Sequence, residues 1–174
     1  MRFSGRYTLV STGKAEFKRF TKGLPFGLET GSMTVCSSIT LKGLDRHGAI
    51  VGLLMIHRGG QGREHMKLEI DREVQEGVQS GVLTWRVIAF HRAYDTNVGH
   101  NGSDLGFGSG RTDERLADEV LQIPGLEQSA SQISTMNEVG PKGTDGYYRS
   151  AIDIDGGGNC WHYRRTTGYE QCKE

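Results

Sequence analysis

Hydrophobic and polar positions alternate most clearly over Thr34–Leu41. Val35, Ile39 and Leu41 fall on one side of this run, and Thr34, Cys36, Ser38 and Thr40 on the other. Ala49–Ile56 is apolar and rich in β-branched residues. Both patterns predict strands. Asp45-Arg46-His47-Gly48 between them suits a type I turn, with Asp first and Gly fourth. If Asp45 pairs with Gly48, the antiparallel register sets Cys36 directly opposite His57. Opposed residues share a face and hold their Cβ atoms roughly 4.5–5.5 Å apart, so thiol and imidazole would meet. Val35, Ile39, Leu41, Ile50, Leu54 and Ile56 would form the core side. A single bulge would slip this register and move one partner away.

The remaining pattern predicts further elements. Arg6–Val10 reads as a strand that Ser11-Thr12-Gly13 breaks, Ala15–Phe20 is ambiguous, and Gly23–Gly27 reads as a loop. Met66, Ile70, Val74 and Val78 predict an amphipathic helix over His65–Gln79, weakened near its end by Gly77. Gly81–Tyr94 carries apolar residues on both alternating sides, as a central strand does. Asp95–Arg111 has no period, and its Gly106–Arg111 end resembles a phosphate cradle without the P-loop lysine. Thr112 is a suitable N-cap for a helix running to about Gln122 with Leu116, Val120 and Ile123 on one face. Leu126–Asp145 has room for a short helix. Tyr147–Ile154 and Cys160–Thr166 predict a terminal hairpin closed at Asp155–Asn159.

Composition narrows the class. The 174 residues match one domain, with only 35% hydrophobic content, 26 glycines and 3 prolines. Many turns and few apolar residues favour a β-rich or α+β chain over a helical bundle. Lys+Arg and Asp+Glu both number 21, so nothing marks a nucleic-acid footprint or a polybasic membrane patch. No apolar run reaches transmembrane length, and MRFSGRYTLV lacks a signal-peptide hydrophobic region. In an oxidising compartment Cys160 and Cys172 would bridge and leave Cys36 free; in the cytosol all 3 cysteines stay thiols. Asp153 and Asp155 hint at a calcium loop, but Arg164 stands where an EF-hand needs its last acid. Cys160, His162 and Cys172 lack an evident fourth zinc ligand.

The candidate chemistry is therefore a thiol and an imidazole. Thiolate is the nucleophile, and a neighbouring His both takes the thiol proton and later protonates the leaving amine. His91 and His100 are rival bases, placed behind His57 because no pairing links them to Cys36. Thr30, with Ser32, Thr34 and backbone carbonyls as competitors, is the candidate to orient the ring.

A Thr six residues before a strand Cys, with a His on the next strand, resembles the papain-like glutamine deamidases. That group includes the chemoreceptor glutamine deamidases, the catalytic domain of the cytotoxic necrotizing factors and the Burkholderia lethal factor. Thr34-Val35 stand where the family usually has Gly-Ser or Ser-Gly. The resemblance implies Cys36 as nucleophile, His57 as base and Thr30 as orienting residue. It implies conversion of a protein glutamine to glutamate with loss of ammonia, needing no metal or organic cofactor. It further implies a protein substrate carrying the target glutamine, and favours a secreted or delivered bacterial effector or toxin.

The reading is thus a single catalytic domain, residues 1–174, of the α+β class. It is expected to be a monomer, a sandwich-like mixed β-sheet core built from hairpins with two packed helices. Arg58, Gly59 and Gly60 in the loop after His57, with Phe26 as a wall, are the candidate substrate contacts. A cysteine protease or transglutaminase with the same dyad is one rival. A binding module whose Gly-rich loops form a recognition surface, with Cys36 merely packed, is the other.

Overall fold

The computed structural model describes residues 3–34, 36–93, 109–139, 148–164 and 168–172. Val35, His100, the Gly106–Gly108 part of the cradle-like run, Tyr147 and the end of the predicted terminal hairpin lie outside them. In chain order the elements are β1 (Thr8–Leu9), β2 (Lys14–Arg19), β3 (Phe26–Glu29), β4 (Ser37–Leu44), β5 (Ile50–Arg58), α1 (Arg63–Gln79), β6 (Thr84–Arg92), α2 (Ser109–Leu121), α3 (Ala130–Thr135), β7 (Asn137–Val139), β8 (Ala151–Ile154), β9 (Cys160–Arg164) and β10 (Gly168–Gln171).

The strands form two mixed sheets, ordered β1-β3-β8-β9-β10 and β2-β5-β4-β6-β7. Parallel pairs β1/β3 and β6/β7 join otherwise antiparallel ladders. The protein is α+β, as the pattern predicts. Its layers follow from which residues each strand buries. Leu53, Met55, Ile88 and Ala89 of the second sheet pack against Phe26, Leu28, Ile152, Ile154 and Cys160 of the first. The other face of the second sheet, with Ile39, Leu41, Leu54, Ile56 and Phe90, is covered by Met66, Ile70 and Val74 of α1 and Leu116 and Val120 of α2. No described helix is long and apolar enough to cross a membrane.

Several elements differ from the pattern. Phe26 already opens a strand inside the predicted Gly23–Gly27 loop, because Phe26–Glu29 pairs with Ile154–Ala151. Helix α2 starts at Ser109, before the predicted cap Thr112. Gly77 is required rather than disruptive: a Cβ there would lie 2.6 Å from the Trp85 ring. Val78 falls outside the helix's buried stripe at 46% exposure.

The β4–β5 turn decides where the site forms. Asp45 pairs with Ala49, not Gly48: Asp45 N donates to Ala49 O at 2.9 Å, and Gly48 N to Asp45 O at 3.0 Å. Gly48 sits at φ +75°, the left-handed residue that completes a type I turn with a bulge. The Asp45 carboxylate accepts from His47 N at 2.8 Å and Ala49 N at 2.9 Å. The Ala49 and then the His47 bond hold its pKa below the ordinary carboxylate value. A second irregularity follows between Gly43 and Leu44. Asp155–Asn159 repeats this construction, with Asp155 bonded to Gly157 N and Asn159 N and with Gly158 at φ +92°.

Candidate active site

The extra residue in that turn, followed by the Gly43/Leu44 irregularity, slips the ladder. Ser38, rather than Cys36, stands directly opposite His57. On the other side of the same strand Ser38 stands opposite His91. Opposed residues share a face, so the inner face carries a His57–Ser38–His91 row. The slip is even, so Cys36 keeps that face and lies one step further along. Ala93 N donates to Cys36 O at 2.9 Å on one side. On the other, the Cys36 Sγ lies 3.6 Å from the point where a Gly59 side chain would begin. Cys36 is thus flanked by two residues of minimal size, with an imidazole diagonal to it on each neighbouring strand. Diagonal Cβ atoms stand roughly 7–8 Å apart, within reach of long side chains.

The two imidazoles differ in what remains free. The Nδ1 of His57 lies 2.8 Å from Val10 O. A carbonyl only accepts, so Nδ1 carries the proton and Nε2 keeps its lone pair. Nε2 is met at 3.5 Å by the Thr12 hydroxyl, not by Cys36. Burial lowers the His57 pKa, partly offset by the Val10 bond. The ring is therefore neutral near pH 7 and able to accept a proton. In His91 both nitrogens are engaged. Nδ1 pairs with Ser150 Oγ at 2.6 Å, and Nε2 faces His162 Nδ1 at 3.4 Å, with the two rings stacked 5.6 Å apart.

Thr30 belongs to this second network. Its Oγ1 accepts from Ser150 N at 3.0 Å, and its own N–H donates to Ser150 O at 3.0 Å. The hydrogen-bonded path from Thr30 leads through Ser150 to His91, while the Val10 carbonyl orients His57. A backbone carbonyl is among the expected alternatives to Thr30, but nothing in the pattern singles out Val10, which acts through a main-chain oxygen at a strand end.

Gly59 lets three side chains close on one point beside Cys36. A Cβ on Gly59 would lie 2.5 Å from Thr12 Cγ2, 3.1 Å from Gln61 Oε1 and 3.6 Å from Cys36 Sγ. Cys36 is 8% and His57 1% exposed, whereas Thr12 is exposed and Gln61 half-buried. Cys36 thus keeps slight exposure, and Thr12 and Gln61 are the more exposed residues around Gly59. Thr12 is placed by the tight turn at Gly13, φ +79°, which leads into β2. Ser11-Thr12-Gly13 is recognisable in the sequence as a strand break, but not as part of the site.

The expected substrate contacts divide. Gly59 is buried beside Cys36, and Gly60 is exposed next to it. Arg58 is fully buried, so its guanidinium cannot meet a substrate. It forms a two-bond ion pair with Glu119 of α2, both bonds 2.8 Å, and its Nη1 donates to Gly59 O and Gln61 O. Phe26 lies in the core between the sheets, with Lys18 Nζ 5.2 Å from its ring centroid. The Asp155 carboxylate is occupied by its own turn. No disulfide joins Cys36, Cys160 or Cys172. Burial pushes the Cys160 thiol up to about 12. A separate cleft of about 580 Å³ between α1 and α2, floored by Ile70, Val74 and Ile123, contains no Cys or His in its lining.

A scan of protein-family models returns no match to the chain, and a search of curated proteins returns none either.

Proposed function

We propose that the protein is a thiol-dependent amidohydrolase that converts a glutamine side chain of a target protein to glutamate. The observation that carries this reading is the shared face of Cys36 and His57. A thiol on β4's lead-in and a neutral imidazole, whose unprotonated Nε2 meets the Thr12 hydroxyl, both lie against the Thr12–Gly59 corner. Hydrogen bonds of a catalytic pair are often long before substrate binds.

In this reading His57 Nε2 takes the Cys36 proton, and Sγ attacks the carboxamide carbon. The imidazolium, with its other N–H held by Val10, gives the proton to the departing NH2, which leaves as ammonia. A water then loses a proton to Nε2 and attacks the thioester. Collapse frees the carboxylic acid and returns the proton to Sγ. His57 is preferred to His91 because His91 uses both ring nitrogens elsewhere. A delivered bacterial effector acting on a foreign protein remains the context that the family resemblance favours.

The test is mass spectrometry of an unfolded glutamine-rich protein after incubation. Deamidation adds about one dalton per site, replacing NH2 with OH, and releases ammonia. Proteolysis shortens the chain and transglutamination joins chains. The gain should vanish in Cys36→Ser and in His57→Ala. Cleavage or cross-linking in its place would contradict the deamidase reading, and so would a mass gain that survives Cys36→Ser.

A further inference from the structure

We infer that the Gly59 backbone N–H holds the carbonyl oxygen of the substrate's carboxamide, and that Gln61 fills that position with its own carboxamide in the resting protein. This rests on the amidohydrolase reading of the same site and names how the substrate is held.

Gln61 Oε1 accepts from Gly59 N at 2.9 Å. That oxygen and Cys36 Sγ both lie within 4 Å of the point where a Gly59 side chain would begin. The rest of the Gln61 amide lies on Gly13, where a Cβ would be 2.6 Å from both Cδ and Nε2. A primary carboxamide on an unbranched chain thus shares the Gly59 corner with the sulfur, its oxygen on a backbone donor. This is the arrangement amide hydrolysis needs, because negative charge develops on that oxygen as sulfur attacks.

The donor stays in place if the side chain leaves. Arg58 Nη1 holds Gly59 O at 2.7 Å and Gln61 O at 2.9 Å, and Glu119 fixes the guanidinium. These bonds grip the loop's main chain and leave the Gln61 side chain ungripped. Gly60, which follows Gly59, is exposed. An incoming glutamine or asparagine side chain would displace Gln61 and inherit its hydrogen bond. A substrate main chain would be blocked there, because Thr12 leaves no room even for a Cβ on Gly59.

The test is the rate at which iodoacetamide, itself a primary carboxamide, alkylates Cys36. It is followed by peptide mass spectrometry in the wild type, Gln61→Ala and Gln61→Glu, after melting curves confirm that all three fold. Gln61→Ala should react about tenfold faster, the equilibrium worth of one such hydrogen bond. Gln61→Glu should react no faster than wild type, because a carboxylate accepts the same N–H more strongly. No acceleration in Gln61→Ala, or equal acceleration in both variants, would overturn the inference. Ammonia release from a glutamine peptide is measured in parallel. The expected alkylation pattern without ammonia from any variant keeps Gln61 as the resident carboxamide and removes the amidohydrolase reading.

Discussion

Ser38 lies directly opposite His57, and this pairing sets Cys36 beside Gly59 on the same inner face. The consequence is geometric. The thiol is flanked by Gly59 and Ala93, Thr12 and Gln61 close in over Gly59, and the imidazole stands on the diagonal.

Gly59→Ala tests the close packing at this corner. Its backbone lies outside the left-handed region, so the effect is steric. The new methyl would meet Thr12 Cγ2 at 2.5 Å and stand 3.6 Å from Cys36 Sγ. Overpacking of this kind costs about 1–3 kcal/mol. Stability measured in urea should fall by that order, and Cys36 alkylation in the folded state should drop at least about tenfold.

The buried imidazole fixes a pH dependence. Burial lowers the His57 pKa from its ordinary 6.5, so the unfolded chain binds the proton first as pH falls. Stability is complete above about 6.5 and declines below it, until the folded ring also protonates. The slope is at most about 1.4 kcal/mol per pH unit for one proton. Denaturation of the wild type and His57→Gln between pH 8 and about 5 isolates this contribution. The two curves should converge toward acid, and parallel curves would contradict a neutral buried His57.

Arg58 and Glu119 form an ion pair whose side chains are 0% and 10% exposed. Removing one partner leaves a buried charge alone, at a cost of about 3–5 kcal/mol. Glu119→Ala should lose stability by that order in urea. The double variant Glu119→Ala/Arg58→Met should recover most of it. Cys36 alkylation should become less dependent on Gln61 in the double variant, because nothing then holds Gly59 O and Gln61 O.

Glu73 of α1 accepts from Phe17 N at 2.7 Å, on the edge strand β2. It satisfies a main-chain donor that an edge otherwise exposes. Glu73→Ala should cost about 1.5–3 kcal/mol, as for a hydrogen bond to a charged group, and speed amide exchange at Phe17. Unchanged exchange there would show that water replaces the carboxylate.

What could be read from the sequence follows its periodicities. Thr34–Leu41, Ala49–Ile56 and Gly81–Tyr94 alternate or run apolar, and the central strands β4, β5 and β6 overlap them. Leu116 and Val120 mark the buried face of α2, and Ile123 is buried just beyond its end. The register between β4 and β5 was not readable at that level. It depends on Gly48 entering a left-handed conformation and on the irregularity at Gly43, neither of which changes the hydrophobic pattern. Because the resulting slip is even, the faces of Cys36 and His57 survive although their direct pairing does not. The residues that complete the site, Val10, Thr12 and Gln61, act through a carbonyl, a turn and a loop. None of these carries a periodic signal. The role expected for Thr30 moved to Val10 for the same reason: Ser150 reaches Thr30 through a sheet whose pairing spans most of the chain.

The central claim is that Cys36 and His57 act as one chemical unit reachable from solvent. The direct measurement is residue-resolved alkylation of the folded protein near pH 8, with Cys160 as an internal reference. The Cys160 thiol, raised to about 12, has almost no thiolate at that pH. Cys36 should react well ahead of Cys160, and His57→Ala should slow it at least about tenfold. A Cys36 that labels only after denaturation, or at the same rate without His57, would contradict the account.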